Sequence, residues 1–458
     1  MKIVLVNPPT PHIESFLVLG ITVPPLGLAY LAAVLEAEGH SVKIIDASAL
    51  GMSMFEIKRE IERNQPEIVG VTSTTPTIRE ALATLRTVKD VCPDAVTVLG
   101  GPHISFLTVE TMGKCAQLDV SCVGEGEMTM LDLVRAVKRK ASLSDVRGIA
   151  YRSNGSVKKT QPRPPISDLD GLPFPARHLL PMDRYSILGK KSTIGNIITS
   201  RGCPYSCVFC ESSLLFGRRF RARSPKNVVD EMEQVIAEYK PKTIEFSDDL
   251  FTLNRRRAEA ICDEIKRRGL DIPWACSSRV DTISPKLLQK MKEAGCMLIY
   301  YGVESGSQRI LNQMGKGISV KQVMDAVKRT REAGIETLAS FILGFPGETM
   351  NDIAKTIAFA KKLDIEYAQF SFATPYPGTE LYNIAKEKGL LITEDWSEYT
   401  AGKPIIATNG CTKKDLKRIF MRAYKSFYLS PRTWLLHLRK GRLSFFLQAV
   451  QLAFRQAL

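Results

Sequence analysis

The chain is organised around the stretch Thr199-Ser-Arg-Gly-Cys-Pro-Tyr-Ser-Cys-Val-Phe-Cys210, in which three of the ten cysteines follow the spacing C-x3-C-x2-C. The glycine, proline and serine among them indicate a polar turn, which disfavours buried structural thiols. Three clustered thiolates suit either a structural zinc ion or a 4Fe-4S cluster. Structural zinc takes four protein ligands, whereas a cluster on three thiolates keeps one iron open. The spacing therefore favours a cluster on Cys203, Cys207 and Cys210.

This stretch resembles the cluster-binding loop of the radical S-adenosylmethionine superfamily, whose motif is C-x3-C-x-aromatic-C, with Phe209 at the aromatic position. The resemblance implies that the open iron chelates S-adenosylmethionine. It also implies that an electron, from a donor such as flavodoxin or ferredoxin, then yields a 5′-deoxyadenosyl radical. The protein supplies binding, orientation and exclusion of water and oxygen. The sequence indicates no catalytic acid or base.

From Ile194 onward, apolar segments alternate with amphipathic ones. Strands are predicted at 195–200, 243–247, 274–278, 297–303, 336–343 and 368–373. Helices are predicted at 226–239, 255–268, 285–294, 320–333 and 350–362. Six strand–helix repeats are too few for an eight-stranded barrel and indicate a partial (β/α)6 TIM-like barrel. Its active site is expected at the carboxyl ends of the strands.

Those strand ends carry polar residues to which the resemblance gives contacts with S-adenosylmethionine. The expected contacts are Phe209, Ser247, Asp248, Asp249, Ser277, Arg279, Glu304, Gly344 and Glu348. The two aspartates stand where the superfamily binds the methionine amino group, and Ser277 with Arg279 stands where its carboxylate binds. The carboxylate of Glu304 suits the ribose diol, and the turn from Gly344 to Glu348 resembles the one behind the adenine. A helix cap is the alternative role, above all for the aspartates.

The first 146 residues alternate short apolar strands with amphipathic helices, which predicts a doubly wound, Rossmann-like parallel sheet. Ligands of such sheets bind beyond the carboxyl ends of the strands. The small, polar loops at those ends are the candidate binding residues. They are Asn7, Pro8, Pro9, Thr72, Ser73, Thr74, Gly100, Gly101, Pro102, His103, Gly124, Glu125, Gly126 and Glu127. G-x-G-x-x-G and Walker loops are absent, so nucleotide binding has no support.

Together with Pro24-Pro25-Leu26-Gly27-Leu28, these loops resemble the cobalamin-binding domain found upstream of many radical S-adenosylmethionine domains. The resemblance implies cobalamin as a second cofactor. The D-x-H-x-x-G motif that supplies an axial histidine elsewhere is absent, as in the subgroup that binds cobalamin without such a ligand. His12 and His103 are the candidate cobalt ligands, although hydrogen bonding within their loops is the favoured interpretation of both.

The segment between these two domains has a different pattern. It begins with a predicted hairpin whose turn is Asn154-Gly155 and continues as a proline-rich linker. The predicted domains are therefore 1–146 (cobalamin-binding), 147–191 (hairpin and linker), 192–391 (radical S-adenosylmethionine barrel) and 392–458 (basic, helical).

The net charge of +15 is concentrated at the end of the chain, because eleven Lys or Arg and one acidic residue lie between Lys413 and Leu458. Interleaved aromatic residues and leucines predict amphipathic helix there. Contact with an anionic membrane surface and packing against the barrel are both open, and nucleic-acid binding is less favoured. We expect a cytoplasmic protein, peripheral on the membrane if the tail binds lipid, because no signal peptide or membrane span is recognisable.

The resemblance covers residues 1–391 and is closest to the subgroup typified by anaerobic magnesium-protoporphyrin IX monomethyl ester cyclase. It implies an enzyme that methylates, or oxidatively cyclises or rearranges, an unactivated carbon, with methylation as the first choice. The tail favours a hydrophobic substrate such as a lipid, terpenoid or tetrapyrrole. One alternative is methylthiolation of tRNA or protein, but Cys92, Cys115 and Cys122 are too scattered for the second cluster of those enzymes. Another is a non-catalytic corrinoid or iron-sulfur sensor.

Overall fold

The computed structural model describes residues 1–10, 22–187, 190–191, 194–408, 412–440, 446–447 and 450. A mainly parallel seven-stranded sheet and a parallel six-stranded sheet, with helices packed against them, make up an α/β fold, as the sequence predicts. His12, one of the two candidate cobalt ligands, lies outside the described residues.

The first sheet has seven strands in the order β2-β1-β3-β4-β5-β6-β7. The strands are β1 Lys2–Asn7, β2 Ser41–Asp46, β3 Ile68–Thr72, β4 Val96–Gly100, β5 Val120–Cys122, β6 Ile149–Ser153 and β7 Ser156–Lys159. The helices are α1 Leu26–Ala37, α2 Ala47–Leu50, α3 Met54–Asn64, α4 Ile78–Val91, α5 Pro102–Phe106, α6 Thr108–Lys114 and α7 Glu127–Arg139. Ile3 and Leu5 pack into the core on one face of the sheet, and Val4 and Val6 into the core on the other. Both faces are therefore covered, which confirms the doubly wound fold.

The hairpin that the sequence assigns to the connector is hydrogen-bonded to the first sheet. β6 pairs antiparallel with β5, where Val120 stands opposite Tyr151, and β7 pairs with β6. Asn154 and Gly155 form the predicted turn, with φ of 48° and 78°. We therefore propose that the first domain ends after β7 rather than at residue 146.

The second sheet has six parallel strands in the order β10-β13-β14-β15-β16-β17. In chain order, the strands from the linker onward are β8 Ser186–Ile187, β9 Lys190–Lys191, β10 Ile194–Ile197, β11 Ser200–Arg201, β12 Arg221–Ala222, β13 Thr243–Phe246, β14 Trp274–Ser278, β15 Cys296–Glu304, β16 Glu336–Leu343 and β17 Tyr367–Phe372. The helices are α8 Ser212–Leu215, α9 Pro225–Tyr239, α10 Arg255–Arg267, α11 Pro285–Glu293, α12 Gln308–Gln313, α13 Val320–Glu332, α14 Met350–Lys362 and α15 Glu380–Glu387. The partial barrel is thus confirmed. Trp274, Tyr301 and Phe341 belong to the core between its outer face and the helices.

The C-terminal tail forms α16 Lys413–Tyr428 and α17 Pro431–Arg439. The hydroxyl of Tyr424 donates to the carbonyl of Phe370 (3.0 Å), and that of Tyr428 donates to the carbonyl of Ala368 (2.8 Å). Both hydroxyls also accept from the amides of the same β17 residues. Because β17 ends the sheet, α16 satisfies a backbone edge that would otherwise be exposed. The apolar side of α16 is therefore buried against the barrel.

The second tail helix is different, because Leu435 and Leu438 are about half exposed, at 49% and 54%. Arg439 is exposed beside them. Among the described helices, none has the length and apolarity needed to cross a membrane.

Candidate active site between the two sheets

The carboxyl ends of both sheets border one cavity of about 290 Å³. From the first sheet, Thr72 and the glycine-rich loops after β4 and β5 form its walls. From the barrel, Ser200, Ser247 and Asp249 line it. Both fold classes place ligands at the carboxyl ends of parallel strands. The fold therefore brings the two predicted sites to face each other across a shared space.

The structure divides the predicted cobalamin-binding residues into two groups. Those that line the cavity are Thr72, Gly100, Gly101, Pro102, Gly124, Glu125, Gly126 and Glu127. Absent from its described walls are Asn7, Pro8, Pro9, Ser73, Thr74 and His103. Asn7 donates to Asp46 (2.8 Å) and Ser73 donates to the carbonyl of Gly100 (3.3 Å). These side chains stabilise the strand ends behind the cavity.

His103 belongs to the second group. Its imidazole is buried, with Nδ1 3.3 Å from the hydroxyl of Thr75 and its ring edge-on to Trp396 at 5.6 Å. Burial lowers the pKa of His103 to about 4. The structure therefore places this imidazole in the packing behind the loop and not at the cavity wall.

Glycines and apolar side chains shape the wall on the first sheet. Gly101 has φ of 101°, and a Cβ atom there would lie 2.4 Å from the carbonyl oxygen of Ser73, so only glycine fits. A Cβ atom at Gly70, within β3, would lie 2.9 Å from the side chain of Leu5. Leu31 and Met130 complete an apolar pocket under the loops. This wall fits cobalamin, a broad ring with amides at its edge, because the loop backbones can approach closely and hydrogen-bond that edge.

The three cysteines lie on the loop between β11 and α8, and all three are half-buried free thiols. The amide of Cys203 donates to the carbonyl of Gly217 (3.3 Å), and Gly202 holds φ of 89° where a Cβ atom would lie 2.4 Å from the Arg219 carbonyl oxygen. Within the described residues, no three Cys, His, Asp or Glu side chains meet the geometry for a single metal ion. Three thiols on one loop are the donor set that an open 4Fe-4S cluster requires.

The paired aspartates after β13 have different environments. Asp248 is buried and accepts four hydrogen bonds, from the amides and hydroxyls of Thr199 and Ser200. Asp249 accepts from the hydroxyl of Ser212 (2.9 Å) and lines the cavity. Asp248 thus ties the cysteine loop to the barrel, and only Asp249 presents its carboxylate to the site.

The residues predicted to contact the carboxylate and the ribose of S-adenosylmethionine belong to a charged cluster. Arg279 stacks on the ring of Tyr205 at 3.6 Å and donates to Asp281 (2.9 Å). Glu304 accepts from Lys316 at 2.7 Å, and both side chains are buried. Tyr205 lies within the cysteine loop, so this cluster stabilises the loop from the barrel side. Ser277 is half-buried near it, at the end of β14.

The predicted adenine turn is closed by its own glutamate. Glu348 accepts from the amides of Gly344 (2.7 Å) and Phe345 (3.2 Å). Burial raises the pKa of Glu348 to about 7. Phe209 packs with Phe345 in one apolar cluster, so the cysteine loop rests against this turn.

A buried ionic network joins the cysteine loop to the loop after β5. Arg201, two residues before the first cysteine, donates to Glu127 (2.6 Å) and lies 3.4 Å from Glu125. Arg221 donates to Glu125 at 2.8 Å, and the ring of Tyr30 lies 5.4 Å from Arg201. The carboxylates of Glu125 and Glu127 therefore serve the contact between the domains.

Comparison with known proteins follows this geometry. Residues 197–360 match the Radical SAM superfamily, and residues 16–134 match the B12 binding domain. An uncharacterised methyltransferase of Pyrococcus horikoshii is 45% identical over 434 residues, which cover 94% of this chain and 93% of that protein. The chain belongs to the cobalamin-binding radical S-adenosylmethionine family.

Other members of this family have more specific names. Anaerobic magnesium-protoporphyrin IX monomethyl ester cyclase of Rubrivivax gelatinosus is 32% identical over 414 residues, 89% of this chain and 74% of the cyclase. The methyltransferase TsrM of Kitasatospora setae, solved with cobalamin and a 4Fe-4S cluster, has a TM-score of 0.74 at 18% identity, covering 94% of this chain and 89% of TsrM. That likeness concerns the fold. These three relatives are two methyltransferases and a cyclase by name, and neither methylthiolation nor a sensor role is favoured.

In this radical S-adenosylmethionine enzyme, the sequence did not indicate the site residues that lie away from the strand ends. Leu5, Gly70 and Cys122 line the cavity from within their strands. Gly70 gave the one local signal, because glycine within a buried strand often marks close approach of a ligand. Arg201 and Arg221 gave no signal, because pairing with the other domain cannot be read from spacing.

Proposed function

We propose that the protein transfers a methyl group to an unactivated carbon of a hydrophobic small molecule held between a 4Fe-4S cluster and cobalamin. One observation carries this proposal: a single cavity receives the glycine-rich wall of one sheet and the polar strand ends beside the cysteine loop of the other. When bound, the cluster supplies the electron that cleaves S-adenosylmethionine, and cobalamin supplies the methyl group. An external one-electron donor, such as a flavodoxin or ferredoxin, is needed.

Cys203, Cys207 and Cys210 would hold the cluster. We assign Asp249 to the methionine amino group, since Asp248 is occupied by Thr199 and Ser200. A carboxylate in a poorly hydrated site binds an ammonium group with charge-assisted hydrogen bonds.

The remaining contacts follow from the strand ends. The hydroxyl of Ser277, which has no hydrogen-bond partner among the described residues, suits the methionine carboxylate, while Arg279 already pairs with Asp281. Glu304, oriented by Lys316, suits the ribose diol, and the backbone at Gly344 suits the adenine. These assignments use only Asp249, Ser277, Glu304 and the backbone at Gly344 among the expected contacts.

The apolar walls of the cavity indicate what kind of substrate it holds. Leu31, Leu215 and Phe216 line the cavity and exclude water from it, which strengthens electrostatic contacts and protects reactive species. They suit the apolar part of a lipid, terpenoid or tetrapyrrole. Oxidative cyclisation is the second candidate, because a named cyclase is 32% identical to this chain.

We also propose a peripheral membrane contact through α17. Leu435 and Leu438 are exposed beside Arg439, so the helix can lie on an anionic surface. Substituting both leucines with serine should reduce co-sedimentation with anionic vesicles. Unchanged co-sedimentation would remove this contact from the proposal.

Anaerobic reconstitution tests the main proposal. With the cluster loaded, dithionite should produce 5′-deoxyadenosine from S-adenosylmethionine, and hydroxocobalamin should stay with the protein through gel filtration. A full cluster without 5′-deoxyadenosine would refute the radical chemistry. A protein that retains no corrinoid would refute methyl transfer from cobalamin.

A further inference from the structure

The inner face of the barrel carries polar side chains below the strand ends. Asn196 on β10 stands opposite Glu245 on β13, and Ser340 on β16 stands opposite Gln369 on β17. Their neighbours along each strand, such as Phe246, pack into the outer core, so alternation turns these polar residues inward. The barrel interior is therefore lined by a layer of polar side chains that can accept hydrogen bonds. The sequence did not single out this layer.

Asn196 is oriented by the first domain. Its side chain is 3% exposed, and its Nδ2 donates to the carbonyl of Pro24 at 3.1 Å. Its Oδ1 is buried and has no hydrogen-bond partner among the described residues. Because Nδ2 is engaged, the amide presents its oxygen as an acceptor, and a buried acceptor left unpaired destabilises the folded state.

Glu245 is the neighbour of Asn196 on the adjacent strand, about 5 Å away at the usual strand spacing. Burial raises the pKa of its carboxyl, and no charged or hydrogen-bonding partner offsets that increase within the described part of the chain. Burial also raises the pKa of Tyr300, and the charge of Glu245 adds to it. Tyr300 and Glu245 thus lie within electrostatic range on the same inner face.

The contacts proposed for S-adenosylmethionine do not reach this layer. Ser247 and Asp249, which line the cavity, follow Glu245 toward the carboxyl end of the strand. Two cations at the strand ends are already paired, Arg279 with Asp281 and Lys316 with Glu304. A carboxylate and an amide oxygen that find no donor in the described part of the chain are kept in a folded protein at a cost to stability, which is typical of groups that serve a ligand.

We infer that Asn196, Glu245 and Tyr300 bind a cationic, hydrogen-bond-donating group of the substrate, an ammonium or guanidinium. The inference rests on the proposed function for the identity of this ligand as the substrate. An ammonium donates three hydrogen bonds and accepts none, which matches the amide oxygen of Asn196 and the carboxylate of Glu245, and the hydroxyl of Tyr300 can also accept. The substrate is then amphipathic, with its apolar part against Leu31 and Phe216 and its cationic end within the barrel.

The holoenzyme with S-adenosylmethionine tests this site with two probes of equal length, n-octylammonium and octanoate. By titration calorimetry, n-octylammonium should bind the wild type at least about tenfold more tightly than octanoate, and Glu245→Gln should abolish that difference. Glu293→Gln, which removes an exposed carboxylate paired with Lys266, is the matched control and should leave both affinities unchanged. Equal affinities in the wild type, or an unchanged preference in Glu245→Gln, would overturn the inference.

Thermal unfolding at pH about 8 separates a binding role from a structural one. Without probe, Glu245→Gln should unfold at the same or a higher temperature, because it removes an unpaired buried charge. Glu231→Gln should unfold at a lower temperature, because Glu231 pairs with Arg177 and Arg223. A lower unfolding temperature for Glu245→Gln would show a structural role and refute the inference. Failure of 5′-deoxyadenosine formation with intact Glu245-dependent binding would refute the proposed function alone.

Discussion

The two sides of the cavity, the first sheet and the barrel, offer different kinds of surface to a ligand. On the first sheet, Gly70 and Gly101 leave out side chains so that backbone and apolar surface meet a ligand of fixed shape. On the barrel, below the strand ends that line the cavity, Asn196 has a buried amide oxygen and Glu245 a carboxyl for which the described residues supply no hydrogen-bond donor. A shared cofactor explains the first arrangement, and a substrate particular to this enzyme explains the second. Substitutions on each wall should therefore affect different properties.

The largest effect is expected on the barrel side from Cys207→Ala. Loss of one of three thiolates should abolish cluster loading and reductive cleavage of S-adenosylmethionine, while corrinoid retention is unchanged because the first sheet is untouched. Iron content, 5′-deoxyadenosine yield and bound corrinoid measure the three properties. Cys92→Ala, a buried cysteine of the first domain, is the control and should keep all three. A Cys207→Ala protein that still cleaves S-adenosylmethionine would contradict the assignment.

The corresponding experiment on the first sheet is the substitution Gly101→Ala. Its Cβ atom would lie 2.4 Å from the Ser73 carbonyl oxygen at φ of 101°, so the loop should shift and corrinoid retention should be lost. The cluster and 5′-deoxyadenosine formation should remain. Gly113→Ala, where a Cβ atom meets nothing within 4 Å, should retain corrinoid like the wild type. Retention by Gly101→Ala would mean that the loop after β4 does not shape the cobalamin wall.

The contact between the walls depends on Arg201. Arg201→Met leaves Glu127 buried without its partner, which should lower the free energy of unfolding by about 3–5 kcal/mol. Arg135→Met breaks a more exposed pair with Glu38 and should cost at most about 1 kcal/mol. Urea unfolding compares the two. Equal losses would show that the buried network does not stabilise the domain contact.

A smaller effect on stability is expected when a change of pH titrates Glu348. Its pKa rises on folding from 4.5 to about 7, so the stability that it contributes is present below pH 4.5 and is lost as pH rises through 7. Glu348→Gln keeps an acceptor for the amides of Gly344 and Phe345 but cannot titrate. Between those pH values, the wild type should lose on the order of 2–3 kcal/mol more than the variant. Parallel stability curves would contradict the buried environment assigned to this carboxyl.

Much of the fold was predictable because its signals are local. The helix predicted at 350–362 is α14, Met350–Lys362, and the cysteine spacing identified a loop that begins beside the cavity-lining residues Ser200 and Arg201. The glycines at Gly101 and Gly124 were informative because a close approach of backbone to ligand leaves few alternatives.

Pairing across long sequence distances could not be predicted. Asp248 resembled a ligand of S-adenosylmethionine, but Thr199 and Ser200 occupy it. Glu125 and Glu127 line the cavity as predicted, but their pairing with Arg221 and Arg201 could not be foreseen. The sequence specified the residue types at these strand ends, and only the docking of the two sheets decided their partners.

The most direct test of the central claim is the magnetic interaction between the two cofactors. In the reconstituted holoenzyme, electron spin relaxation of cob(II)alamin should be faster when the cluster is reduced, because both centres border one cavity. Cys207→Ala, loaded with cob(II)alamin, should show the slower relaxation of the isolated cofactor. Identical relaxation in the two proteins, with cobalamin and the wild-type cluster fully loaded, would contradict a shared active site.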